Sequence, residues 1–219
     1  MKYIPIYNPD ITTKEKKYVN DCLNSNWISS NGKYVRLFEE EFSRVFNYKY
    51  SVAVSNGTVA IQLALRTLGI GKGDEVIVPN LTFAATINAV LNEGANPILC
   101  DISKNDILID TDEILNKISC KTKAIIPVHL YGKPYDTFEL KKRIKNKKIF
   151  IIEDCAEAIG SKYRNQFVGS FSDAATFSFF ANKTLTTGEG GMVIFKKKSM
   201  FNKANIIKSH GMSTKRKYY

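Results

Sequence analysis

The stretch from Ser51 to Asn80, SVAVSNGTVAIQLALRTLGIGKGDEVIVPN, decides how the chain folds. It opens on a short run with alternating valines, Ser51–Val54, and turns through Ser55-Asn56-Gly57. Apolar residues then recur at helical spacing from Thr58 to Thr67, and a glycine-punctuated turn leads into a β-branched run, Glu75–Val78. Strand, helix and strand in that order form the repeating unit of a parallel sheet, because parallel neighbours need a long crossover.

The same rhythm continues beyond this stretch. Further strands are predicted at Pro97–Asp101, Ala124–Val128, Ile149–Glu153, Ala175–Phe179 and Met192–Phe195. Helices are predicted at Phe83–Asn92, Asp112–Ile118, Phe138–Ile144 and Ser199–Lys208. Ahead of the first strand, Tyr18, Val19 and Leu23 mark a helix over Thr12–Asn24, capped by Thr12 or Thr13. A polar turn, Trp27–Gly32, tightens at Asn31-Gly32. Val35, Phe38, Phe42 and Phe46 mark a second helix. The expected architecture is α/β, a mostly parallel central sheet with helices on both faces. Residues 1–34 are expected to form a helical arm and 35–219 a single large domain. In such sheets ligands bind beyond the carboxyl ends of the strands, so those loops should carry the chemistry.

Composition narrows the function. Hydrophobic residues make up 44% of the 219 and charged residues 24%, as in ordinary globular proteins. No apolar run reaches the ~20 residues of a membrane span, and MKYIPIYNPD lacks an apolar signal core. A cytoplasmic protein with no membrane partner is expected. Cys22, Cys100, Cys120 and Cys155 are widely spaced and make no CxxC pair, which argues against zinc and disulfides. His129 and His210 lack partners at metal spacing. The net charge of +11 is scattered along the chain without a nucleic-acid-binding signature. It would suit a phosphorylated or nucleotide-linked small molecule better. Gly69-x-Gly71-x-Gly73 follows a helix instead of a strand, the wrong context for a dinucleotide fingerprint. The G-x-S-x-G of a serine hydrolase is missing.

Four loops stand out. Ser55-Asn56-Gly57-Thr58 opens a helix, whose free N–H groups and dipole suit an anion, although an ordinary cap explains the same residues. Phe83 follows the Glu75–Val78 strand and offers either a flat face to a ring or a core contact. Glu153-Asp154 ends an apolar strand, where carboxylates are costly unless paired. Asp154 is either a helix cap or an anion for a protonated ring nitrogen. In SFSDAATFSFFANKTLTTGEGGMV, Ser170 to Val193, Lys183 is the one ionisable side chain between Ala174 and Thr187. Phe177, Phe179 and Phe180 crowd its approach, and desolvation favours the neutral amine that attacks carbonyls. Gly188, Gly190 and Gly191 permit tight turns beside it. A phosphate cradle, an aromatic face, a carboxylate and a sequestered amine are what pyridoxal 5'-phosphate requires.

Five segments then carry a resemblance: SNGTVAIQLAL, GDEVIVPNLTFAATINAV, TKAIIPVHLYGKP, IIEDCAEAIGSKY and SFFANKTLTTGEGGMV. Together they are similar to the fold-type I sugar-nucleotide aminotransferases of the DegT/DnrJ/EryC1/StrS family. The resemblance covers most of the chain and is strongest to the perosamine-forming branch. It implies transfer of an amine from L-glutamate to a nucleotide-linked 4-keto-6-deoxyhexose, GDP-4-keto-6-deoxymannose in that branch, for surface polysaccharide such as O-antigen. A UDP- or dTDP-ketosugar, or a truncated cofactor-binding protein without turnover, is the alternative. The resemblance further implies that Lys183 forms the Schiff base and moves protons, and that Asp154 binds the pyridine nitrogen. Gly57, Thr58 and Ser178 would hold the phosphate, Phe83 would stack on the ring, and Glu157 would lie near the ring hydroxyl. Related dehydratases carry histidine in place of the lysine. Family members continue into a small C-terminal domain and pair as homodimers with shared sites, so the chain is expected to be truncated.

Overall fold

The structure, a computed structural model, describes residues 4–5, 7–145 and 147–212, so the extreme ends of the expected 1–34 and 35–219 spans lie outside the described residues. Two helices come first, α1 (Thr13–Asn24) and α2 (Lys33–Phe46). The alternating region follows: β1 (Tyr50–Val54), α3 (Gly57–Leu68), β2 (Glu75–Pro79), α4 (Ala85–Asn92), β3 (Asn96–Cys100) and α5 (Thr111–Lys117). Next come β4 (Thr122–Ile125), α6 (Thr137–Arg143), β5 (Phe150–Asp154) and a small hairpin of β6 (Lys162–Tyr163) and β7 (Gln166–Phe167). The chain then forms β8 (Ala174–Ser178), β9 (Gly191–Phe195) and α7 (Lys198–Lys208).

Seven strands form one sheet in the order β1-β9-β8-β5-β4-β2-β3. All pairings from β8 to β3 are parallel. Only β9 is reversed, running antiparallel to both β1 and β8. Side chains alternate between faces, and helices bury both. On one face α3, α4 and α7 cover Val52, Val76, Val78, Ile152 and Val193. On the other, α5 and α6 cover Ile77, Ile125 and Ile151. There α2 sets Phe42 against Phe177, Met192 and Ile194. Helix α3 buries Ala60, Ile61, Leu63, Ala64, Leu65 and Thr67. Each buried leucine-sized side chain contributes about 1.5–3 kcal/mol, which fixes this helix firmly over the sheet.

The helix expected over Thr12–Asn24 is present as α1 with Thr12 as its cap, yet no residue of α1 is buried. The helix forms because Thr12 and Glu15 cap its first turn reciprocally. Periodicity gives a helix an apolar side without supplying anything to cover it. The fourth strand stops at Ile125, short of Val128, because Pro127 has no N–H for the ladder. Val128 rejoins the sheet only through a single bridge to Asp154.

Candidate active site

At the carboxyl ends of β5 and β8, beside the N-terminus of α3, lies a cleft of ≈ 380 Å³. That is within the usual range for small-molecule sites, about 300–1,000 Å³. Gly57, Thr58, Phe83, Asp154, Glu157, Ser178 and Lys183 all line it, so the loops singled out in the sequence converge on one place.

Asp154 ends β5 on the α3 face of the sheet and is only 4% exposed. Burial pushes its carboxyl above the ordinary 3.8, against opposing hydrogen bonds from Thr86 and the Ala156 N–H. Thr86 Oγ1 donates to Asp154 Oδ2 at 2.9 Å, and Ala156 N–H donates to Oδ1 at 3.1 Å. Thr86 Oγ1 also lies 3.0 Å from Thr82 Oγ1. Because Thr86 spends its proton on the carboxylate, Thr82 must be the donor between the two hydroxyls. Asp154 is therefore buried, lines the cleft and makes no ion pair among the described residues, with Lys183 acting on it only at a distance. A cationic ring nitrogen in the cleft would supply such a pair.

The α3 terminus keeps both readings of its sequence. Asn56 caps the helix, its side chain accepting from Val59 N–H at 2.9 Å, while its carbonyl takes Ala60 N–H. The N–H groups of Gly57 and Thr58 meet no acceptor among the described residues, and both residues line the cleft, as an anion site requires. The need for glycine has an added cause. A Cβ on Gly57 would sit 2.9 Å from Ser178 Cβ, and one on Gly191 only 2.4 Å from the Asn56 carbonyl oxygen. The glycines let α3 start hard against β8 and β9.

The surroundings of Lys183 differ from expectation. Its amine is not isolated among rings: Nζ lies 3.3 Å from Glu157 Oε1, with side chains 16% and 26% exposed. Glu157 Oε2 accepts from Tyr131 N–H at 2.9 Å. Phe179 points to the opposite face, against Phe38 and Phe42, and Phe177 packs mainly on Phe42 and Tyr48. Phe180, half exposed, lines the cleft together with the lysine, and Phe177 reaches the same lining. Phe83 is 74% exposed and has no core role. Cys155 is a buried core residue whose thiol burial pushes up.

A family profile described as the DegT/DnrJ/EryC1/StrS aminotransferase family matches residues 9–219. The chain belongs to this family. It is 50% identical over 219 residues to a GDP-perosamine synthase of Escherichia coli O157:H7, covering 100% of this chain and 60% of that protein. An aminotransferase structure from Psychrobacter cryohalolentis superposes with a TM-score of 0.90 at 37% identity, over 96% of this chain and 55% of that one. An E. coli GDP-4-keto-6-deoxy-D-mannose-3-dehydratase with bound hydrated PLP superposes at 0.90 and 30% identity, over 96% and 56%. The chain spans about 60% of the length of the curated relatives it matches.

Within this family member, sequence reasoning missed Thr82 and Thr86, which lie in the quoted NLTFAAT segment without any spacing that signals a carboxylate partner. It also missed His129, which pairs with Glu153 at 3.1 Å in full burial. The signal was present, since a glutamate inside an apolar strand demands partners. Its partners come from two other segments, so no local pattern gives them.

Proposed function

We propose that the chain is the cofactor-binding part of a pyridoxal-phosphate-dependent aminotransferase that passes an amine from L-glutamate to a nucleotide-linked 4-keto-6-deoxyhexose. Following the perosamine synthase relative, GDP-4-keto-6-deoxymannose is the acceptor and GDP-perosamine the product. The observation that carries the reading is a single cleft joining a buried carboxylate, without an ion pair among the described residues, to an amine and two unclaimed backbone donors.

The residues present fit the cofactor. Gly57 and Thr58 N–H, with the Ser178 hydroxyl, would hold its phosphate, and Asp154 its ring nitrogen. Phe83 would cover a ring face, and Glu157 would lie near the ring hydroxyl. Bound there, pyridoxal phosphate would supply an aldehyde for amino groups and an electron-accepting ring. The protein's part is to place groups around it. Asp154 would favour a positive charge on a ring nitrogen held there, and Thr86 and Ala156 fix the direction of its oxygens. Lys183 holds or moves a proton at Nζ, and Glu157 keeps that amine turned into the cleft. A lysine here, in contrast to the histidine of related dehydratases, favours transamination over dehydration.

The proposed organisation keeps residues 1–34 as an arm and 35–219 as the large domain, completed by a smaller C-terminal domain and by a second copy in a homodimer with shared sites. A cytoplasmic place, and a role in surface polysaccharide synthesis such as O-antigen, follow from the same reading. The test has two parts. Pyridoxal phosphate is added and reduced with borohydride, and the labelled peptide should contain Lys183. The full-length protein is then given glutamate with GDP-, UDP- or dTDP-ketosugars. 2-Oxoglutarate released beyond one equivalent per enzyme only with the GDP sugar supports the reading, and such turnover only with another nucleotide overturns the substrate assignment.

A further inference from the structure

The one buried histidine is outside the cleft, and its bonds reach toward it. His129 and Glu153 are both fully buried on the face of β5 opposite Asp154. Tyr135 N–H donates to His129 Nδ1 at 2.9 Å, so the ring proton must sit on Nε2, which faces Glu153 Oε1 at 3.1 Å. Thr137 Oγ1 donates to the same carboxylate oxygen at 3.0 Å and Ser172 Oγ to the other at 2.6 Å. Burial pushes the Glu153 carboxyl up, and its interactions with His129 and Ser172 more than offset that, leaving the carboxyl below its usual value.

The His129 backbone N–H adds a bond to the Asp154 carbonyl at 3.0 Å, and Asp154 N–H returns one to Pro127 at 2.9 Å. His129 therefore fastens the segment from 128 to 135 to the end of β5 by main chain and ring together. Within that segment Tyr131 adopts a left-handed conformation, φ 52°, and aims its N–H at Glu157. A residue type that disfavours this conformation keeps it only when its surroundings hold it.

We propose that His129 is a positioning residue: pinned to Glu153, it holds the 128–135 segment so that Tyr131 N–H orients Glu157, and through it the Lys183 amine, against Asp154. This rests on the aminotransferase reading for its purpose, although its first test does not require any cofactor.

The test uses His129→Asn, which retains an acceptor for Tyr135 N–H but is too short for Glu153, and His129→Gln, which can reach Glu153. Amide exchange at Tyr131 is followed in the cofactor-free protein, with wild type as reference. Exchange at Tyr131 should accelerate about tenfold or more in His129→Asn and less in His129→Gln, a tenfold change being about 1.4 kcal/mol. Unchanged exchange at Tyr131 in a folded His129→Asn protein overturns the proposal. If that variant does not fold, Thr137→Val removes one donor from Glu153 and should show the same acceleration in weaker form. If it shows none, the proposal also fails. Separately, pyridoxal phosphate affinity should drop about tenfold in His129→Asn, with partial rescue in His129→Gln. Wild-type protein that binds no cofactor would refute the aminotransferase reading and leave the exchange result standing. Equal cofactor affinity in wild type and His129→Asn would reduce His129 to a purely structural group.

Discussion

Replacing Gly191 with alanine is the sharpest test of how the cleft is built. Gly191 opens β9, and an added Cβ would lie 2.4 Å from the Asn56 carbonyl oxygen, 2.6 Å from its carbon and 3.0 Å from Gly57 N. All three are backbone atoms, so no side chain can rotate away. Relief to ordinary contact near 3.4 Å requires the start of α3 and the start of β9 to separate by about 1 Å. Strain of this kind costs about 1–3 kcal/mol. In a chain of this size that lowers the melting temperature by about 2–4 °C per kcal/mol. The same ångström moves the Gly57 and Thr58 N–H groups off a bound phosphate, and misplacements of that size cost about 100-fold. The assay is thermal unfolding together with a pyridoxal phosphate titration. Gly190→Ala is the control: its Cβ would meet mainly the Thr187 hydroxyl, at 2.3 Å, which can swing aside. Its losses should be clearly smaller in both measurements. If Gly191→Ala melts like wild type and binds the cofactor equally well, the close approach of α3 to β9 is not what sets the cradle.

Other outcomes follow from the same geometry. Lys183→Ala should lose the borohydride-trapped adduct entirely, and a persistent adduct elsewhere on the chain would reassign the amine. Thr86→Val deletes a charge-assisted hydrogen bond to Asp154, worth about 1.5–3 kcal/mol, so cofactor affinity should fall about 10- to 100-fold. An affinity within twofold of wild type would show that Asp154 needs no such support. The raised Asp154 carboxyl also fixes a pH dependence: the folded chain without cofactor holds that proton more tightly than the unfolded one. Its stabilising contribution is full below the ordinary 3.8 and is lost as pH rises through the raised value. Asp154→Asn removes that loss, so without cofactor it should melt at or above wild type near neutral pH, yet gain little from added pyridoxal phosphate. A variant that melts well below wild type there would contradict the placement of the strain.

The strands and helices of the alternating region were legible because their apolar residues repeat with the right period and each segment ends on a glycine, a proline or a cap. The reversal of β9 was not legible, since strand direction depends on where the Gly188–Gly191 turn sends the chain and not on the strand's own residues. In the cleft, Asp154 and Lys183 could be found because each breaks a local pattern, an acid ending an apolar strand and an amine in an uncharged run. Glu157 as partner of Lys183 was hidden, because a separation of 26 positions carries no periodic link and only the sheet brings them together. The lysine's supposed isolation was an artefact of reading along the chain. That α1 buries none of its residues was not legible either, since a pattern shows which side is apolar and says nothing of what stands opposite.

The reversed β9 has a consequence for assembly during synthesis. Gly57 and Thr58 leave the ribosome more than a hundred residues before the walls packed against them, Ser178 of β8 and Gly191 of β9. Late ties repeat the theme: Lys203 reaches back 136 residues to Thr67, and Lys208 reaches back 169 to Glu39. Closing such long loops is slow, so a nascent chain can form helices while still unable to grip an anion. Cofactor capture should therefore wait for β9, and a chain halted before Phe195 should not capture it.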